Sequence, residues 1–162
     1  AEVAVDPETG HVEVLRYSVV QDVGRAINPR AIRNQVQGGV VQGLGYALHE
    51  EITIDGNGRI RQDGLESYRV PLARDTVPVE IELYEGAPSL GPLGAKGAGE
   101  IPILNMAAVM GCAVANATGR PVHEIPLTPP RVLALLAGEG GPPDLPHIAQ
   151  DWRANLLPGA DR

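Results

Sequence analysis

The segment Gly94–Glu100, GAKGAGE, holds the sharpest chemical signal in the chain. Glycines at 94, 97 and 99 strip the turn of side chains, leave backbone N–H groups bare and permit backbone angles that other residues avoid. Glu100 follows at the junction with a very apolar stretch whose composition predicts a helix. A carboxylate there stands near a helix N-terminus, where the dipole and free N–H groups favour the charged form while burial opposes it. A carboxylate held between those effects is a candidate general base. The same position also suits an ordinary residue of a helix N-cap region, and both readings stand on local grounds. The bare backbone suits an oxygen-rich anion. It is not a nucleotide P-loop, which needs G-x-x-x-x-G-K-[ST]: Lys96 is followed by Gly97, with no Ser or Thr to hold magnesium. Nor is it a dinucleotide fingerprint, because G-A-K-G-A-G has one residue too many.

A second candidate lies in the stretch 32–51. Val36, Val40, Val41, Leu44, Ala47 and Leu48 recur at three- and four-residue spacing and predict a helix, yet the same stretch carries Gly38, Gly39, Gly43 and Gly45. A glycine in a helix interior costs about 0.5–1 kcal/mol relative to alanine. Close approach of a neighbouring helix or of a ligand would offset that. Gln35, Gln37 and Gln42 share the stretch, either as donors to a bound group or as plain helix surface. Other chemistries find little footing. His11, His49, His123 and His147 have no metal-ligand spacing. Cys112 falls within an apolar helical pattern and reads as a core residue. Ser67 and Ser89 have no evident His and Asp partners, and no G-x-S-x-G occurs.

The elements that must position these groups read as α+β. Ala1–Val5 and His11–Gln21 predict a hairpin around the turn at 6–10, and Asn28-Pro29 marks a turn or a helix start. A second hairpin is expected over Glu51–Ile60 around DGNG, then a short strand at Ser67–Val70 and a firm one in Val77–Tyr84. Ile101–Ala117 predicts one buried helix stopped by Gly119. Thr128 and Pro129 open a last helix with Val132, Leu133, Leu135 and Leu136 on its apolar side. The expected architecture is mixed or antiparallel strands packed with at least two buried helices. Residues 1–138 form the folded unit and 139–162 an irregular tail, in which Trp152 is the one anchoring side chain.

The 162 residues suffice for one domain. The formal net charge of −7 argues against non-specific binding to nucleic acid or anionic membrane. Phe is absent, so the core must be aliphatic, and Gly (20) and Pro (15) predict many tight loops. A single cysteine excludes an internal disulfide or an iron–sulfur cluster held by this chain alone. No charge-free apolar run of 18 residues and no signal peptide are expected, so the protein is expected to be cytoplasmic. The start at Ala1, without Met and within a strand pattern, suggests a piece of something longer.

Read together, DVGRAINP (22–29), NQVQGGVVQGLGYALHEE (34–51), ESYRVP (66–71), GAKGAGE (94–100) and LTPPRVLAL (127–135) resemble the molybdenum hydroxylases, the xanthine dehydrogenase and aldehyde oxidoreductase family. The five segments fall in that family's order, and the resemblance covers about Ala1–Leu136 of this chain, corresponding to the C-terminal fifth of the family's large molybdenum-cofactor-binding subunit. The resemblance implies a molybdopterin cofactor, in bacteria often the cytosine dinucleotide form. Its dithiolene holds the metal, so no protein side chain is a metal ligand. It implies that Glu100 is the base that takes a proton from the metal's hydroxyl during hydroxylation of an aldehyde or N-heterocycle with oxygen from water. It places Gln35, Gly38 and Gly39 beside the cofactor, although Asn34 stands where the family has Gly. Ala95, Lys96, Gly97, Ala98 and Gly99 become the loop whose backbone lines the cofactor. Implied partners are the rest of the molybdenum subunit, an iron–sulfur subunit, an FAD subunit and a small-molecule substrate, with no nucleic acid and no membrane insertion. On this reading iron–sulfur clusters and FAD reside only on partner chains or domains. The competing expectations are a structural or assembly fragment of such an enzyme, inactive alone, and an unrelated nucleotide-binding module.

Overall fold

In the computed structural model, which describes residues 1–86, 89–139 and 141, Asp6 sets the first turn. Its carboxylate accepts from the Glu8 N–H at 2.9 Å and the Thr9 hydroxyl at 2.7 Å, and its own N–H donates to His11 O. That turn joins β1 (Glu2–Val5) to β2 (Val12–Asp22) as an antiparallel pair, with Val5 opposite Val12 and Val3 opposite Val14. The first half of the long strand serves β1. Its second half, from Tyr17 opposite Val79 to Asp22 opposite Tyr84, pairs in parallel with β3 (Val79–Tyr84). The sheet is therefore mixed, three-stranded and ordered β1-β2-β3, within the α+β class expected.

Helix α1 (Pro29–Leu48) starts three residues before the predicted Ile32, because Asn28 caps it: its side-chain oxygen accepts from the Ala31 N–H at 3.0 Å, and Pro29 follows as a preset first residue. Val36, Val40, Leu44, Ala47 and Leu48 form its buried stripe. Val40, Leu44, Ala47 and Leu48 meet Val12, Tyr17, Val77, Met106, Met110, Val114, Leu127 and Val132 in a mostly aliphatic core, with Tyr17 buried in it and Tyr46 packed against it.

The apolar stretch after Glu100 departs from expectation. It forms a four-residue helix α2 (Ile101–Leu104) and a separate α3 (Met106–Thr118), broken at Asn105. Tyr46 accounts for the break. Its hydroxyl donates to Ile103 O at 2.6 Å and accepts from the Ala107 N–H at 3.2 Å, so it occupies the place of the direct helical bond between those two groups. Nor is the helix buried on most faces: only Pro102, Met106, Met110 and Val114 are. Leu104 is 74% exposed, and Cys112, read as a core residue, is exposed. The run Ile101–Thr118 also overturns the expectation that no charge-free apolar stretch of 18 residues exists, with a mean hydropathy of 1.5. In the fold it is divided at Asn105 and packs Met106, Met110 and Val114 into the core.

Three smaller expectations are corrected or limited. The hairpin at 51–60 reduces to a turn with a single bridge, Ile54 to Ile60. Asp55 holds the turn through the N–H groups of Asn57 and Arg59, but Ile52, Ile54 and Ile60 are half exposed or more and have no sheet face to pack on. Residues 67–70 form no strand; Ser67 and Tyr68 donate instead to Gly64 O in a turn. Helix α4 (Pro129–Ala137) starts where expected, but the Thr128 side chain makes no cap bond, Val132 alone is buried, and Leu133 is 38% exposed. Gly119 does terminate α3, in the left-handed conformation. Most of the predicted tail 139–162, Trp152 included, lies outside the described residues.

Tyr46→Phe removes both bonds at the α2–α3 junction while keeping the ring, and should lower the chain's stability by about 1–2 kcal/mol in chemical denaturation.

Candidate functional site

The backbone of β2 does not stop at Asp22. Val23, only 1% exposed, accepts from the Lys96 N–H at 3.0 Å, and the Arg25 N–H donates to Gly94 O at 3.0 Å, forming an antiparallel bridge between Gly24 and Ala95. The chain after β3 is thus drawn back alongside the end of β2. Gly24 is required here twice over. Its φ is +59°, and an added Cβ would lie 2.3 Å from Gly94 O. Ser89 secures the near side of the turn by donating its hydroxyl to Ala95 O at 2.7 Å.

Two side-chain contacts then pin the glycine turn. Lys96 Nζ meets Asp22 Oδ2 at 2.6 Å, while Asp22 Oδ1 accepts from the Gly24 N–H at 2.9 Å. The Lys96 ammonium, then the Gly24 amide, hold the Asp22 carboxyl below its usual range. Further along, Gln35 Nε2 on α1 donates to Gly99 O at 2.8 Å. Gln35 and the Gly94–Glu100 turn, 64 residues apart in sequence, are therefore in contact.

Between and beyond these pins the backbone is bare. Nothing approaches a Cβ built on Gly38, Gly97 or Gly99 within 4 Å. Among the described residues, the N–H groups of Gly97, Ala98, Gly99 and Glu100 have no hydrogen-bond acceptor, whereas those of Ala95 and Lys96 donate to Pro92 O and Val23 O. Ala95 and Lys96 thus belong to the framework of the turn and offer no free amide donor. Gly39 also differs from Gly38: its Cβ would meet Pro102 Cβ at 2.8 Å, and one on Gly43 would meet Met106 Cγ at 2.2 Å. Close approach of α2 and α3 therefore accounts for those two glycines.

Glu100 precedes α2 with helical backbone angles (φ −111°, ψ −12°), yet its side chain makes no capping bond. It is exposed, and among the described residues its carboxylate has no hydrogen-bond or ion-pair partner. The long helix expected to act on it through a macrodipole is only four residues long before the break. Glu100 thus stands at the N-cap position without a side-chain cap bond, and its candidacy as a base rests on the pinned turn.

Other candidates lie elsewhere. His49 and His11 line a cleft with Arg74 and Asp75 that contains no residue of the turn; burial and the nearby Arg69 push the His49 imidazole below its usual value. No group of three potential metal ligands occurs among the described residues. What the site offers is neutral backbone donors, a carboxylamide and one unpartnered carboxylate. That set fits a large ligand rich in anionic oxygen, because the amides can bind oxygen and the bare glycines admit bulk. Sequence reasoning found Gln35, the turn and Glu100 but gave no role to Asp22 or Tyr46. The Asp-x-Gly spacing at 22–24, which suits a side chain bonding the backbone two residues on, was the available signal for Asp22.

Comparison with known proteins gives these positions a context. A family profile described as a molybdopterin cofactor-binding domain matches residues 1–77, which include Gln35, Gly38 and Gly39. The chain is 35% identical over 140 residues to the 6-hydroxypseudooxynicotine dehydrogenase complex subunit gamma of Paenarthrobacter nicotinovorans, covering 85% of this chain and 18% of that protein. It is 32% identical over 166 residues to the nicotine 6-hydroxylase large subunit of the same organism, covering 99% of this chain and 20% of that one. Among solved structures, quinoline 2-oxidoreductase from Pseudomonas putida 86 superposes with a TM-score of 0.79 at 29% identity, over 85% of this chain and 18% of that one. The chain thus spans about a fifth of the length of the relatives it matches.

Two glycine substitutions should separate packing from ligand space. In the purified chain, Gly38→Ala should raise stability by about 0.5–1 kcal/mol, since the new methyl meets nothing. Gly43→Ala should lower it by about 1–3 kcal/mol through collision with buried Met106. The Asp22 bonds carry a pH signature. With a folded carboxyl pKa below the ordinary 3.8, their stabilisation is present above that value and is lost as pH falls through the lower folded value. The difference in melting temperature between the native chain and Asp22→Asn should be constant from about pH 5 to 7, a range about one unit or more above the ordinary carboxyl value. It should then vanish in strong acid.

Proposed function

Because the chain belongs to the family of molybdenum-cofactor-binding large subunits shared by xanthine dehydrogenases and aldehyde oxidoreductases, we propose that α1 and the Gly94–Glu100 turn form its share of a molybdopterin site, with Glu100 as catalytic base. The family relationship makes the chain an oxidoreductase component of the molybdenum hydroxylase type. When bound, the cofactor supplies the two-electron chemistry that accompanies hydroxylation with oxygen from water.

This chain's own residues do the rest. Gly97, Ala98 and Gly99 present free N–H groups to anionic oxygens of the ligand, and their lack of bulk admits it. Gly38 leaves the adjoining stretch of α1 open, while Gly39 brings α1 onto Pro102 beside the turn. Gln35 holds Gly99 through its amide nitrogen and keeps its side-chain oxygen for the ligand or for water. Ala95 and Lys96 fix the approach of the backbone. Glu100 accepts a proton at its carboxylate from a water-derived hydroxyl and releases it to solvent after turnover. The observation that carries this reading is an unpartnered carboxylate at the end of a turn held at Lys96 and Gly99 and bare between them.

Residues 1–138 act as one unit of this site. The relatives are about five times as long; on this reading the remainder of a large subunit completes the site, and an iron–sulfur subunit and an FAD subunit carry electrons away. An aldehyde or N-heterocycle is the substrate class. In the protein assembled with those partners, Glu100→Gln should leave molybdenum and released nucleotide at native levels and reduce turnover at least about a hundredfold. Retained turnover in a metal-replete variant overturns the assignment.

A further inference from the structure

We infer that Asp22 and Lys96 form a register lock: the ion pair between them fixes the turn on the end of β2 and thereby sets where Glu100 stands. Both are positioning residues; neither needs to touch the ligand. The inference rests on the reading of Glu100 as base, and extends it to a residue on another strand.

Three observations carry it. First, Lys96 is the only residue between Gly94 and Glu100 whose side chain extends beyond a methyl, so it is the one side chain by which this stretch can be gripped. Its ammonium lies 2.6 Å from Asp22 Oδ2, directed to the strand and paired there. Second, the same carboxylate binds the Gly24 N–H, and Gly24 is the residue that bridges Ala95. One side chain therefore holds both strands of the two-bond ladder, Lys96 N–H to Val23 O and Arg25 N–H to Gly94 O. Third, slippage has few other obstacles. Gly97 and Gly99 meet nothing, and a turn of glycine and alanine has many accessible conformations to lose. The other pin, Gln35 to Gly99 O, grips the far end through a single bond. With the Lys96 side chain released, the near end keeps only the main-chain bond of Lys96 to Val23 O and the Ser89 bond to Ala95 O, so the stretch 97–98 gains freedom and Glu100 moves within the reach of the single bond at Gly99.

An exposed ion pair adds little to overall stability. Its effect here is local, on the population of one arrangement of a short turn. The test uses the holoenzyme assembled with its native partners and the variants Asp22→Asn, Lys96→Met, Lys96→Arg and the double variant Asp22→Asn/Lys96→Met. Amide hydrogen exchange over 94–101 is the first readout. Asp22→Asn and Lys96→Met should each raise it about three- to tenfold, with 12–21 unchanged as an internal control. Lys96→Arg, which keeps the pair, should remain near the native rate. The double variant should match either single one, because the two side chains act through each other. At native molybdenum content, kcat should fall in the two loosened variants while KM changes less than about twofold, the pattern of a displaced reacting group. Native exchange over 94–101 in Asp22→Asn, or effects that simply multiply in the double variant, overturns the lock. Failure of the base assignment is separable: it is read from turnover of Glu100→Gln, whereas the lock is read from exchange.

Discussion

The ladder between Val23–Arg25 and Gly94–Lys96 is the constraint on which the candidate site depends. Two main-chain hydrogen bonds join the end of the sheet's central strand to a segment that otherwise has little to hold it. A turn built of glycine and alanine buries almost no apolar surface, so the hydrophobic effect that fixes the rest of the chain does not fix this part. Its position must come from directional bonds. The sheet supplies them because β2 is long enough to serve β1 first, β3 next and the turn last. The strand thus ties the hydrophobic core at Val12 and Tyr17 to the Gly94–Glu100 turn through one continuous piece of backbone.

The glycines of α1 show how packing and ligand space share one helix. Gly39 and Gly43 are four residues apart and present one face to Pro102 and Met106. Their missing side chains let α2 come close enough for Tyr46 to reach the backbone between Ile103 and Ala107. Gly45 has a third reason, since a Cβ there would overlap the Glu50 carboxylate that receives the Tyr68 hydroxyl. Gly38 has no such neighbour, and its conformation is an ordinary helical one. A glycine that costs helix stability without relieving any contact in its own chain asks for an occupant from outside it. Gly97 and Gly99, on the turn that Gln35 holds, ask for the same.

Much of this was legible in the sequence because it is local. The hairpin at 1–21, the α1 stripe, the strand ending at Tyr84 and the stop at Gly119 follow from periodicity and turn chemistry. The sequence motifs also singled out Gln35 and the Gly94–Glu100 turn, which the fold brings into contact. What was not legible depends on partners distant in sequence. Nothing around Asn105 predicts a break, since its cause is a hydroxyl 59 residues earlier. The isoleucines at 52, 54 and 60 have the pattern of paired strands, but a strand persists only where a face can be buried, and none is offered there. Cys112 followed the apolar composition of its helix, and only the direction from which α1 and β1 pack shows that it faces outward.

The placement of charge around the turn suits the role proposed for Glu100. A chain of net charge −7 would be expected to receive an anionic ligand with lysines and arginines. Here the one cation of the turn is paired with Asp22, and the donors left free are uncharged amides. The difference matters for Glu100. An ammonium beside a carboxylate favours its ionised form and so weakens it as a proton acceptor, whereas amides aimed at a separate ligand leave it alone. Backbone donors also stay where the main chain puts them, without the rotamer entropy that a lysine would lose on ordering. Asp22 therefore does two things with one carboxylate: it bonds the Gly24 N–H, and it pairs the one ammonium of the turn.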